Sequence, residues 1–62
     1  MKWYLVSWFY DNGKVNTQIF AEDEAEDLDT TSYTEQENCD RYVDVYDTLE
    51  EAEEAAEEAK YA

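Results

Sequence analysis

Hydrophobic and polar residues alternate closely along the first third of the chain. Trp3–Tyr10 and Lys14–Ala21 are rich in aromatic and β-branched side chains, which predicts two strands. Between them lies Asp11-Asn12-Gly13-Lys14. Asn-Gly favours a type I′ hairpin turn, because that turn needs positive φ at both central residues. A two-residue Asn12-Gly13 loop sets Tyr10 opposite Val15, Trp8 opposite Thr17, Val6 opposite Ile19 and Tyr4 opposite Ala21. One face then carries Tyr4, Val6, Trp8, Tyr10, Val15 and Ile19 and is the expected core face. The other carries Trp3, Leu5, Ser7 and Phe9 against Asn16, Gln18 and Phe20. It is mixed, and is expected to be partly exposed or covered by a partner.

Further along, the pattern changes. Ala21, Ala25 and Leu28 share a helical side, but crowded acids oppose a helix by a few tenths of a kcal/mol per like-charged i,i+4 pair. Residues 22–30 therefore read as an acidic loop or a short helix. Thr30–Glu37 supports a short third strand, and Asn38-Cys39-Asp40 reads as a polar turn. Arg41–Asp47 alternates again: Val43 and Val45 point one way, and Tyr42, Asp44 and Tyr46 point the other, toward water. Thr48 followed by Glu51 is a capping-box signature. Leu49, Ala52, Ala55, Ala56 and Ala59 then form a narrow apolar stripe at helical spacing. The expected fold is a single α+β domain over residues 1–62. In it, an antiparallel sheet of three or four strands, including the N-terminal hairpin, packs against one acidic C-terminal helix.

Composition supports folding rather than disorder. Aromatic residues make up 16% of the 62 residues, and there is no proline. Each ring buries on the order of 150–250 Å², so ten of them can furnish much of a small core. Cys39 is the one cysteine, so no disulfide framework supports the fold. A lone thiol fits a reducing compartment, most simply the cytoplasm. Stability is expected from aromatic packing, assisted by a partner or a second copy. A two-fold dimer through the mixed hairpin face would cover Trp3, Leu5 and Phe9.

The formal net charge of −14 changes the picture most. It excludes direct nucleic-acid binding through phosphates, which needs a basic face, and electrostatic attachment to an anionic membrane. The longest apolar run, Trp3–Tyr10, falls far short of the roughly 20 residues of a spanning helix. It is also too short and aromatic for a secretory signal, so the chain reads as soluble. The charge is segregated. Residues 1–21 carry Lys2 and Lys14 against Asp11, while seventeen of the eighteen acids lie in residues 22–62. Glu22, Asp23, Glu24, Glu26, Asp27 and Asp29 form one dense cluster, and Glu50, Glu51, Glu53, Glu54, Glu57 and Glu58 form another. A solvated face would explain part of this, but solubility needs a net charge of only about 2–8 for a small domain.

Little in the sequence supports catalysis. With no histidine, the commonest general base and metal ligand is missing. Cys39, Ser7 and Ser32 have no base to activate them. Gly13 alone cannot form a phosphate-binding loop. The stretch from Asp23 has the oxygen ligands of a calcium loop but lacks its central glycine. No catalytic residue, metal site or cofactor is expected.

The charge itself is the remaining candidate. Six glutamates between Glu50 and Glu58 occupy about 12 Å of helix at 1.5 Å per residue. That is one charge per ~2 Å, close to the ≈ 1.7 Å of duplex DNA. In size, charge and acidic α+β layout the chain resembles the small acidic DNA-mimic inhibitors encoded by phages and mobile elements. These include anti-restriction proteins, uracil-DNA glycosylase inhibitors and several anti-CRISPR proteins. The resemblance implies an inhibitor, acting in the host cytoplasm, that occupies the basic nucleic-acid channel of a defence protein such as a CRISPR-Cas effector or a restriction enzyme. The expected contacts are the two acidic clusters, extended by Asp44 and Asp47, with Tyr42 or Tyr46 as aromatic anchors. Two other readings stand beside it. One is a protein-interaction module using the aromatic hairpin, and the other is a halophile domain whose acids hold water and salt.

Overall fold

The structure, a computed structural model, describes residues 1–61. Four strands and one long helix form in the order β1 (Trp3–Tyr10), β2 (Val15–Ala21), β3 (Tyr33–Glu35), β4 (Cys39–Tyr46) and α1 (Leu49–Lys60). A single 3₁₀ turn, Glu24–Asp27, lies between β2 and β3. The sheet order is β2-β1-β4-β3, with every pairing antiparallel. This is the α+β architecture expected from the sequence, with four strands. β2 and β3 are the edges.

The hairpin turn differs from expectation and shifts the register of β1 against β2 by one residue. Phe9 pairs with Val15, Ser7 with Thr17, Leu5 with Ile19 and Trp3 with Ala21. The loop has three residues, Asp11-Asn12-Gly13, closed by Tyr10 N–H to Lys14 C=O at 2.9 Å and Gly13 N–H to Tyr10 C=O at 3.0 Å. Gly13, at φ +90°, is the only described residue with positive φ. Asn12 therefore does not adopt the second positive φ of a type I′ turn. It instead accepts a hydrogen bond from Lys14 N–H through Oδ1 at 3.0 Å. The result is a turn ending in a left-handed glycine, the common three-residue hairpin solution.

A one-residue slip exchanges the strand faces. Trp3, Leu5, Ser7 and Phe9 share a face with Val15, Thr17 and Ile19, not with Asn16, Gln18 and Phe20. This face carries α1. Leu5, 2% exposed, and Ser7, 3% exposed, are buried in the single chain without a second copy. The opposite face carries Tyr4, Val6, Trp8 and Tyr10 with Cys39, Arg41 and Val43 of β4. Val6 is fully buried there. Part of the cover on that side comes from the connection between β2 and β3, since Arg41 Nη2 donates to the carbonyl of Asp29 at 2.7 Å. Val45, beyond that cover, stays exposed. Both faces thus contribute to the core, in place of the one good face expected.

β4 begins at Cys39, inside the polar turn expected at Asn38-Cys39-Asp40 and two residues before the strand expected from Arg41. Cys39 is a buried strand residue whose Sγ donates to Gln36 Oε1 at 3.1 Å, and Gln36 N–H closes the turn on the Cys39 carbonyl. The helix starts as expected, with Thr48 Oγ1 accepting from Glu51 N–H at 3.1 Å. Ala52 and Ala56 are its buried positions. Alanine has no bulk to hold the helix off the sheet, so α1 lies close over β2 and β1. Leu49, at the edge of the stripe, is 39% exposed. No helix among the described residues is long and apolar enough to cross a membrane.

Candidate functional site

The six glutamates of α1 are all exposed, because Ala52 and Ala56 turn the only apolar side of the helix into the sheet. They divide into two flanks. Glu50, Glu53 and Glu57 overhang Thr17 and Ile19 of β2. Glu51 and Glu58 lie on the flank toward Tyr46 of β4, and Glu54 borders both sides. Their positions follow from the helical repeat once the alanines are fixed inward. Glu50 and Glu51 also sit in the first turn, where the helix dipole favours carboxylates.

Asp44 joins this surface. It alternates with Tyr42 and Tyr46 along β4 and lies on the helix-bearing face, because Asp44 pairs with Leu5 in the sheet. Burial of the ring, together with the nearby charges of Asp44, Glu58 and Glu51, raises the pKa of the Tyr46 phenol.

Asp47 is exposed but already engaged. Its carboxylate forms an ion pair with Lys2 Nζ, and that hydrogen bond holds Asp47 below the ordinary carboxylate range while raising Lys2. It is therefore a clasp between the start of β1 and the end of β4 more than an available charge.

The six acids of the Glu22–Asp29 cluster are all exposed. Several of its members serve the local fold. Glu22 accepts from Lys2 N–H at 2.9 Å, and Glu24 accepts from Ala21 N–H at 3.1 Å. Asp29 Oδ1 accepts from the Thr31 hydroxyl at 2.6 Å and from Thr31 N–H at 3.0 Å. These hydrogen bonds, with a smaller contribution from the charge of Arg41, hold the Asp29 carboxyl below its ordinary range. Asp23, Glu26 and Asp27 project into solvent around the buried Ala25. Since Arg41 reaches the Asp29 carbonyl from the face away from α1, the sheet separates Asp29 from the helical row. The structure brings Asp44 to the helix and sets Asp29 behind the sheet, while Lys2, bonded to both Glu22 and Asp47, links the start of the 22–29 cluster to the chain just before α1.

Two groups escaped the sequence reading. Asp40 and Tyr33 lie on the α1 side of the sheet, where the Tyr33 hydroxyl donates to Asp40 Oδ1 at 3.2 Å. Tyr33 also leans on Tyr42, with ring centroids 5.1 Å apart, and Tyr42 meets Phe9 edge to face at 5.5 Å. Burial, followed by the bond to Asp40, raises the Tyr33 phenol. Extending the alternation of Tyr42, Asp44 and Tyr46 back by two residues would have found Asp40. Tyr33 could be placed only by the β3–β4 pairing.

The cations are dispersed. Arg41 is buried behind the sheet, Lys2 is held by Asp47, and Lys14 is in the hairpin turn. Only Lys60 stands in the helical row, at its last turn. Among the described residues no group of three or more acids or cysteines is arranged to hold a metal ion. No protein-family model, curated protein or solved structure matches the chain.

Proposed function

We propose that the protein is a DNA-mimic inhibitor, acting in the cytoplasm of a host cell, that occupies the basic nucleic-acid channel of a defence protein. The observation that supports this reading most is the helical row itself. Six exposed carboxylates stand on a capped helix that is fixed to a sheet through buried Ala52 and Ala56. Their spacing of one per ~2 Å approaches that of duplex phosphates. Because the helix is held by packing, the charges need little ordering on binding. A basic channel would attract them over a distance and dock quickly. Asp44 widens the row toward the sheet. Asp29, behind the sheet, would meet only a partner that wraps around the domain.

A pulldown from host lysate at low and high salt tests the reading, run in parallel with a variant carrying Glu50→Lys, Glu53→Lys, Glu54→Lys and Glu57→Lys. The expected result is a nucleic-acid-processing protein captured by the wild type at low salt, released by salt and by duplex DNA, and lost in the variant. Capture that survives the four reversals, or recovery of no such protein, refutes it.

A further inference from the structure

Helix α1 packs mainly on β2 and β1 and meets β4 less closely, toward Tyr46. Between the helix and β4 it leaves an open groove of ≈ 360 Å³. Leu5, Ser7 and Phe9 line it from β1, and Ala55 and Ala59 from the helix. The β4 side presents Asp40, Tyr42, Asp44 and Tyr46. The groove is thus apolar and aromatic inside, with carboxylates on one margin.

Its chemistry selects among occupants. A neutral apolar segment would have to desolvate Asp40 and Asp44 without replacing their hydrogen bonds. An anion would be repelled by them. A second copy of the chain would bring a net charge of −14 against the same charge. A cation on an apolar stem meets neither penalty. Asp40 and Asp44 flank Tyr42 two residues to either side on one strand face, so they stand about 6.8 Å from Tyr42 along the strand. A planar guanidinium can lie over a tyrosine ring while its N–H fork reaches a carboxylate. Its methylene stem then runs along Ala55 and Ala59. The ring is pre-positioned: Tyr42 is wedged between Phe9 and Tyr33, and Tyr33 is tied to Asp40.

We infer that this groove is a receptor for an arginine side chain of the basic partner, docked on Tyr42 between Asp40 and Asp44. The inference rests on the inhibitor reading for the source of the arginine, but the groove can be tested without any partner. It would add a directional anchor to a surface that otherwise attracts by charge alone.

The test is a titration of the isotope-labelled full chain with N-acetyl-arginine amide at physiological ionic strength, followed by NMR. Parallel titrations use the citrulline and norleucine analogues. Saturable shifts confined to Phe9, Tyr42, Tyr46, Ala55 and Ala59, seen with arginine and absent with citrulline, are expected. Tyr42→Leu and Asp44→Asn, both at exposed positions, should each weaken binding about two- to fivefold. Glu50→Gln with Glu53→Gln, on the far flank of the helix, should leave it within about twofold at an ionic strength that screens beyond ~8 Å. Equal shifts with citrulline or norleucine, unsaturable shifts spread over all acids, or undiminished binding in Tyr42→Leu overturns the inference. So do groove shifts on dilution of the protein alone, which would place a second copy there. If arginine saturates the groove while the pulldown recovers no nucleic-acid-processing protein, the inhibitor reading fails and the guanidinium site stands. If the pulldown is charge-dependent and arginine does not bind the groove, the guanidinium site fails and the inhibitor reading stands.

Discussion

Asp29 shows how a single side chain in this acidic chain does two jobs. Its carboxylate accepts twice from Thr31, which fixes the loop leading to β3, and its carbonyl receives the buried Arg41. The carboxyl is held below its ordinary pKa of 3.8. A depressed value means that its contribution to stability is complete above 3.8 and disappears as pH falls through the lower folded-state value. Asp29→Asn keeps an acceptor oxygen but cannot ionise. The variant should unfold at lower urea than wild type at neutral pH, and the difference should shrink as the pH is lowered from 3.8 through the depressed folded-state value. Glu26→Gln, which removes the same charge without these bonds, serves as the control. A difference that persists unchanged in acid would show that the bond geometry, not the ionisation, carries the effect. Lys2 and Asp47 follow the same logic from both sides. The depressed acid loses its contribution as pH falls, and the raised amine loses its own as pH rises above 10.5.

At the level of the elements, the hairpin turn goes with the register that places Val15, Thr17 and Ile19 of β2 on the helix-bearing face of β1. Gly13 at φ +90° has no atom within 4 Å of an added Cβ, so Gly13→Ala meets only the conformational cost of a left-handed L-residue. That cost is about 1 kcal/mol. The urea midpoint should fall accordingly with an unchanged m-value, and Gly13→Asn should lose less. The same turn marks where the sequence misleads. Asn-Gly is compatible with a two-residue loop having two positive φ values and with a three-residue loop having one. Local preference does not separate them. The choice is made by packing, because the observed register sets Val15 and Ile19 beside Leu5 and Phe9 beneath the alanine side of α1. Strand identity, the helix and its Thr48 cap were legible because alternation, helical spacing and capping act within a few residues. The partner of each strand, and with it the groove, depends on contacts across the chain. Asp44 and the glutamate row could therefore be found from the sequence, and Asp40 by extending the same alternation, whereas Tyr33 could not be joined to Tyr42 before the β3–β4 pairing was known.

For the molecule as a whole, the unpaired outer side of β2 has a consequence for solution behaviour. Val15–Ala21 presents a sheet edge with no proline and no charge of its own, the kind of edge that invites strand-by-strand association. Its safeguard is borrowed from Glu50, Glu53 and Glu57 overhead, whose charge keeps another copy from approaching. Such protection is electrostatic and therefore conditional. Near the isoelectric point of about 4.1 it should fail: light scattering should rise, and infrared spectra should show intermolecular β-structure, where the chain is still folded. Gln18→Lys, which places a charge on the exposed edge itself, should restore clarity at that pH. Persistent clarity of the wild type there would mean that the edge is shielded by shape instead. If the edge behaves as expected, the helix row has a second use: it is the colloidal guard of an otherwise sticky strand, and any partner that neutralises the row also removes the guard from its neighbour.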